Sequence, residues 1–337
     1  MKQLCSLIGA CVSAALLTAC GSGNLAASGP PISRQTSTTS SCLTAPCIYT
    51  AQATYSKSKI GVFTGDATGN VAPVEPITGK RTQLYLVRGG VAVGVDHKVF
   101  ASDDGTVTVY AAGAYGNAKP IQTISGSNTG LNESRKLTVD AQDDIYVANS
   151  ANGSGPASIT VYSAGATGNA TPVQTITGSL TNLDSTYSVA VDSSHDIYAT
   201  NLGSSPSVTV FAAGANGNVA PVQTISGSST TISSPLGIAL DASKNIYVCD
   251  NGAGSITVFA PNANGNVPPI RTISGSKTKI NNPWGVALDS GGNIYVTSTG
   301  SILVFAAGAN GNVRPTRIIK GSLTKLNSMQ QFALAVQ

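Results

Sequence analysis

From residue 47 onward the chain alternates between short runs of apolar and β-branched residues and clusters of Gly, Asn, Asp, Ser and Pro. The stretch 237–274 is representative. Its runs Gly237-Ile-Ala-Leu-Asp241, Asn245-Ile-Tyr-Val-Cys249, Ser255-Ile-Thr-Val-Phe259 and Pro269-Ile-Arg-Thr-Ile-Ser274 are candidate strands, designated A, B, C and D. They show no helical period and are bounded by turn residues, as strands joined by hairpins are. Only Ala242-Ser-Lys244 separates A from B in this unit, and Ser290-Gly-Gly292 in the next, which suits a tight hairpin.

The unit repeats. Gly-Asn-x-x-Pro occurs with its glycine at Gly69, Gly116, Gly168, Gly217, Gly265 and Gly311, at intervals of 47, 52, 49, 48 and 46 residues. A second signature, Gly-(Ser or Lys)-x-Thr-x-(Leu or Ile), follows each copy, with its threonine at Thr82, Thr129, Thr181, Thr230, Thr278 and Thr324. Six four-stranded antiparallel units at this period predict an all-β fold, a six-bladed β-propeller. Strand B carries an aromatic at Tyr49, Phe100, Tyr146, Tyr198, Tyr247 and Tyr295, and strand C at Phe63, Tyr110, Tyr162, Phe211, Phe259 and Phe305. Packing between neighbouring blades accounts for these positions.

The first repeat starts at strand B, Cys47-Ile-Tyr-Thr-Ala51, and the last run, Phe332-Ala-Leu-Ala-Val336, is a strand A. Pairing the two completes the sixth blade and leaves no open seam, which an unclosed array would expose. The propeller is therefore expected to span 47–337.

The run Gly-Ile-Ala-Leu-Asp, Asn-Ile-Tyr-Val, Ser-Ile-Thr-Val-Phe resembles the NHL-repeat motif, and more loosely the gluconolactonase and streptogramin-lyase propellers. The resemblance covers the whole repeat region and implies the fold. It departs from many NHL repeats in having neutral, Ser-rich residues before strand C and a longer Gly-Asn-x-x-Pro loop. One superfold hosts many activities, so function has to be argued from the site.

In an A-B-C-D meander the D-to-A and B-to-C loops share one face. Two rings of residues are expected there. Strand B ends at Gln52, Asp103, Asn149, Asn201, Asp250 and Ser298, all polar, which either cap loops or form a polar mouth for a carbohydrate, a peptide or a cation. The second ring, five residues before the strand A Asp or its Gln337 equivalent, is Val91, Arg135, Tyr187, Leu236, Trp284 and Phe332. Its aromatics are not explained by blade packing. Arg135, Tyr187, Trp284 and Phe332 are therefore candidate ligand contacts at the channel mouth, with a plug of the channel as the competing reading.

Catalytic motifs are lacking: there is no Gly-x-Ser-x-Gly elbow, phosphate loop or zinc-type Cys/His spacing. The lyase likeness would imply a His pair at the channel, but His97 and His195 both fall in A-to-B turns on the other face. The lactonase likeness would imply a divalent metal held by Glu, Asn and Asp. Asp103 and Asp250, with Asn149 and Asn201, could offer Ca²⁺ or Mg²⁺ hard oxygen ligands, although the Glu has no counterpart. No cofactor is otherwise expected. The sequence reading is a non-catalytic binding or scaffold protein, the alternative being a metal-dependent lactonase- or lyase-like enzyme.

The amino-terminal segment differs in kind. Lys2 precedes a short apolar run, Leu4 to Leu17, and Leu17-Thr18-Ala19-Cys20 resembles a bacterial lipobox. This implies a signal peptide over 1–19, lipidation at Cys20 and export to the cell envelope, at the outer membrane if the cell has one. Residues 20–46, rich in Gly, Ser, Thr and Pro, read as a flexible tether. Cys42 and Cys47 could pair in an oxidising compartment, and Cys249 reads as a buried thiol. The chain has 10% charged residues and a net charge of +4, without the clustered Lys and Arg of a nucleic-acid footprint. The expected partners are the membrane, through the lipid, and a protein, peptide or carbohydrate ligand; the expected state is a monomer.

Overall fold

The computed structural model describes residues 41–43, 45–52, 58–85, 89–150, 155–326 and 334–336. The expected signal peptide, Cys20 and most of the expected tether lie outside them, as does Phe332.

The described chain forms six four-stranded antiparallel sheets. Blade 1 comprises strand A Leu334–Val336, strand B Cys47–Gln52, strand C Lys59–Thr64 and strand D Ile77–Thr78. Strand A of blades 2 to 6 is Val91–Val93, Ser134–Val139, Thr186–Val191, Pro235–Leu240 and Gly285–Leu288. In blade 5 the remaining strands are Ile246–Asp250, Ser255–Phe259 and Arg271–Ile273, each within two residues of its sequence-based bounds. The strands A of all six blades line a central channel of about 260 Å³. Closure occurs as the repeat phase predicts, with Ile48, Tyr49 and Thr50 opposite Val336, Ala335 and Leu334.

The hydrophobic core consists of six clusters, each between two adjacent blades. The strand C aromatic is fully buried in every blade, and the strand B aromatic nearly so. The cluster joining blades 6 and 1 packs Phe63 and Ile48 against Tyr295, Ile302 and Leu334, so the closing strand is part of a core and not merely a hydrogen-bonded flap. Cys42 forms a disulfide with Cys47, their Cα atoms 5.5 Å apart. Although the sequence places Cys42 in the tether, it is buried in the cluster between blades 1 and 2.

The two repeat signatures are the halves of one latch. Between blades 4 and 5, the Gly265 amide donates to Thr224 O at 2.7 Å and the Ser226 amide donates to Gly265 O at 3.2 Å. Asn264 Oδ1 accepts from the Thr224 amide at 2.9 Å, and Asn266 Oδ1 from the Ser229 amide at 2.7 Å. The Gly-Asn turn of one blade thus pairs with the outer edge of strand D in the preceding blade. The threonine of the second signature stiffens the receiving loop: Thr230 Oγ1 donates to Gly227 O at 2.7 Å and accepts from the Ile232 amide at 3.2 Å. The receiving glycine is required twice over. At Gly275, φ is +108° and a Cβ would lie 2.7 Å from Asn312 Oδ1, the latch atom of the next blade. The latch recurs at the ring closure, where the Gly69 amide donates to Ile318 O at 2.7 Å and the Leu323 amide to Asn70 Oδ1 at 2.8 Å.

Removing one latch side chain should cost about 1 kcal/mol, the usual net value of a neutral hydrogen bond. Asn266→Ala is expected to lower the melting temperature by about 2–4 °C. Asn262→Ala, in an exposed turn of the same connection, should leave it unchanged. Equal melting temperatures for the two variants, measured by calorimetry, would show that the latch contributes nothing.

Candidate ligand-binding mouth

The mouth is shaped by a β-bulge at the start of strand A. In blade 4, Thr186 pairs with Asn201 and Ser188 with Thr200, leaving Tyr187 as the extra residue. In blade 5, Leu236 is extra between Pro235 and Gly237. In blade 3, Arg135 and Lys136 together span the place opposite Ala148. Bulges turn side chains out of the pleat. Trp284 lies just before strand A of blade 6, its amide donating to Thr297 O at 3.1 Å.

Four residues predicted as one ring, Arg135, Tyr187, Leu236 and Trp284, line a single pocket of about 270 Å³. Ser150, Ser185, Ser234 and Asn251 add polar lining that sequence reasoning did not single out. Val91 does not belong to the ring; it lines the channel instead. The equivalent of the strand A Asp in blade 2 is Gly94, whose amide donates to Lys98 O at 3.0 Å just as the Asp241 amide donates to Asn245 O at 3.2 Å. Asp96 sits two residues further on, within the turn, paired with Lys98 at 2.5 Å. The ring position is therefore Gly89.

The structure places the polar ring inside the blades. Gln52, Asp103, Asn149, Asn201, Asp250 and Ser298 are all buried. Most fasten the preceding D-to-A loop: the Tyr85 amide donates to Asp103 Oδ2 at 2.7 Å, the Asn132 amide to Asn149 Oδ1 at 3.2 Å, and the Asn281 amide to Ser298 Oγ at 2.8 Å. Asn201 Oδ1 accepts from Thr186 Oγ1 at 3.1 Å, and Gln52 Nε2 donates to Thr50 Oγ1 at 3.1 Å. Asp250 accepts from the amides of Ser233, Ser234 and Ala253 and from the Ser233 hydroxyl, at 2.6–3.1 Å. These are the loop-capping roles that Asn, Asp and Ser play at strand ends. Asp103 and Asp250 stand in blades 2 and 5, on opposite sides of the ring, so they do not converge on one ion. Among the described residues no group of three or more His, Cys, Asp and Glu is arranged to hold a metal.

The histidines lie on the other face. His97 and His195 both have φ of +65°, at the same turn position as Asp143 and Lys244. His195 Nε2 is 3.1 Å from Gln142 Oε1 and 3.6 Å from Asp140 Oδ2.

The residue missed by sequence reasoning is Lys136. It is buried where the mouth pocket meets the channel, and its Nζ donates to the backbone carbonyl of Trp284 in the opposite blade. Its ammonium lies 5.7 Å from the centroid of the Tyr187 ring, and the Arg135 guanidinium lies at the same distance. Burial pushes the Lys136 amine down to about 8. Burial likewise raises the Tyr187 phenol, which the Arg135 charge partly opposes. Cys249 is a free, buried thiol pushed up to about 12 by burial, consistent with an inert core residue. A sequence signal for Lys136 exists. The residues at its position in the other blades are Gly90, Ser188, Gly237, Gly285 and Ala333, all small.

No known protein-family profile matches the chain, and no curated protein matches it in sequence. Solved structures resemble it in shape. A protein of unknown function from Bacteroides caccae aligns with a TM-score of 0.61 at 9% identity, over 87% of this chain and 98% of the other. The WD40 β-propeller domain of Doa1 gives a TM-score of 0.53 at 12% identity, over 81% of each chain. The periplasmic gluconolactonase PpgL of Pseudomonas aeruginosa gives 0.51 at 14% identity, over 81% of this chain and 83% of its own. At these identities the likeness establishes the fold. The protein is a six-bladed β-propeller with four antiparallel strands per blade. Within that class it is marked by a mouth pocket built on four consecutive blades and a buried lysine beneath it.

The lysine makes stability depend on pH. In the unfolded chain the amine titrates at its ordinary 10.5, and in the folded chain near 8. Below pH 8 both states are protonated and the fold carries the full cost of the buried charge. Between these values the unfolded chain binds more protons, so stability rises with pH, and above 10.5 the cost is gone. The wild type should gain about 3 kcal/mol relative to Lys136→Met between pH 8 and 10.5 in urea unfolding. Parallel pH profiles for the two proteins would show that the amine titrates normally.

Proposed function

We infer that the protein is an extracytoplasmic, membrane-anchored binding or scaffold protein that holds a ligand or partner at its channel mouth. The observation that carries this reading is the convergence of Arg135, Tyr187, Leu236 and Trp284, one from each of four consecutive blades, on one pocket. A concave site with aromatic and apolar walls and a few polar groups is what ligand binding requires. The loop-fastening roles of Asp103 and Asp250 leave a binding function better supported than a metal-dependent reaction.

The anchoring half of the reading rests on Leu17-Thr18-Ala19-Cys20. Labelled palmitate fed to expressing cells is expected to enter the wild-type protein and not Cys20→Ser. Equal labelling of the two would remove lipidation at this residue.

For the binding half, glycan and peptide arrays probed with the full chain are expected to yield a ligand. Trp284→Ala should reduce its affinity at least tenfold while the melting temperature stays within about 2 °C, since Trp284 is only partly buried. Unchanged affinity would remove the mouth from consideration. An empty array for the wild type would favour a purely structural role in the envelope.

A further inference from the structure

At the mouth two buried polar atoms lack a hydrogen-bond partner, and a cation beside them lacks a counter-charge. Tyr187 is 6% exposed and lines the pocket, yet its hydroxyl has no hydrogen-bond partner. The buried Arg135 Nε is likewise unpartnered, although the guanidinium reaches Glu133 Oε2 through Nη2 at 3.4 Å. Lys136 is buried, and the described hydrogen bond of its ammonium goes to a backbone carbonyl, not to a carboxylate. Orphaned buried polar groups are uncommon in folded proteins, and an enclosed ammonium without a counter-charge is costlier still. All three groups can donate, and two are cations facing one aromatic ring from 5.7 Å. Among the described residues Glu133 is the one anion paired with either cation, and it is half of a partly exposed pair. Close beneath the pocket the local charge is therefore positive and short of acceptors.

We propose that the mouth pocket binds a small organic carboxylate with an apolar or aromatic body. Its carboxylate pairs with the Arg135 guanidinium, and its body lies against Tyr187, Trp284 and Leu236. This deepens the mouth-binding reading and rests on it. Lys136 need not touch the ligand, because its charge acts through a water-poor interior where electrostatic attraction is strong. The size fits: about 270 Å³ corresponds to roughly nine waters at about 30 Å³ each, enough for a ligand the size of an amino acid or an aryl acid. A cationic ligand would meet two positive groups, and a neutral one would leave them uncompensated.

Titration calorimetry of the full chain in detergent with benzoate, benzamide and benzylamine tests this. Benzoate is expected to bind at least tenfold more tightly than benzamide, with no heat from benzylamine. Arg135→Gln should abolish the preference for benzoate. Trp284→Ala should weaken both ligands. Benzamide or benzylamine binding as well as benzoate would overturn the carboxylate assignment while leaving the mouth as a binding site. No binding by any of the three, with an array ligand still lost in Trp284→Ala, would do the same. No binding by any probe together with an empty array would remove both.

Discussion

The outer strand of a propeller blade, taken alone, presents a row of unpaired amides and carbonyls to solvent. In this ring the Gly-Asn turn of the following blade covers that row, through two backbone bonds and an asparagine side chain at each of six junctions, including the one between blades 6 and 1. Much else follows from this constraint. It fixes glycine at both ends of the contact, one for its positive φ and one for the space that the asparagine occupies. It holds adjacent sheets in the register that lets each strand C aromatic sink into the interface between blades. Neutral amide chemistry therefore recurs at every blade junction in a chain with few charged residues. Charged groups add to it at some junctions, as Lys244 pairs with Asp192 at 2.7 Å and Arg317 Nη1 donates to Ala67 O at 3.1 Å.

With the sheets fixed in this way, the mouth inherits its geometry. In blades 2, 3, 5 and 6 strand A enters the channel beside a D-to-A loop that is pinned by the last residue of strand B, as Asp250 pins Ser233 and Ser234. In blades 3, 4 and 5 a bulge follows at the start of strand A, and the bulge sets which side chain leaves the pleat. The polar residues at strand ends and the larger residues of the bulge are therefore consecutive layers of one construction, the first structural and the second facing the pocket. Small residues immediately below them leave room for one long side chain, and Lys136 crosses that room to the far blade.

The architecture was legible in the sequence because it is periodic. Six copies of two signatures announce blade number, phase and closure, and the alternation of apolar runs with turn residues announces the strands. The mouth was legible in part. Arg135, Tyr187, Leu236 and Trp284 could be aligned because their blades share an Asp at the start of the A-to-B turn. Blade 2 has Gly94 there, with an Asp two residues later, so the alignment slipped and Val91 was drawn into the ring in place of Gly89. The polar ring was ambiguous because strand-end Asn and Asp look the same in sequence whether they face solvent or a loop amide. Lys136 was missed for a different reason. Lys136 is not exceptional in type, only against the small residues at its own position, and its burial depends on a carbonyl nearly 150 positions away.

The pairing of Ile48, Tyr49 and Thr50 with Leu334, Ala335 and Val336 gives assembly of the molecule a particular order. Contacts within and between successive blades join residues a few tens of positions apart, so blades 2 to 6 can stack as the chain emerges. Blade 1 has only three strands until the final one arrives, and its interface with blade 6 stays unsealed until then. Long-range closure of this kind is the slow step in forming a ring, since the whole length of the chain must be brought back on itself. The channel, which draws a strand from every blade, exists only once that step is complete.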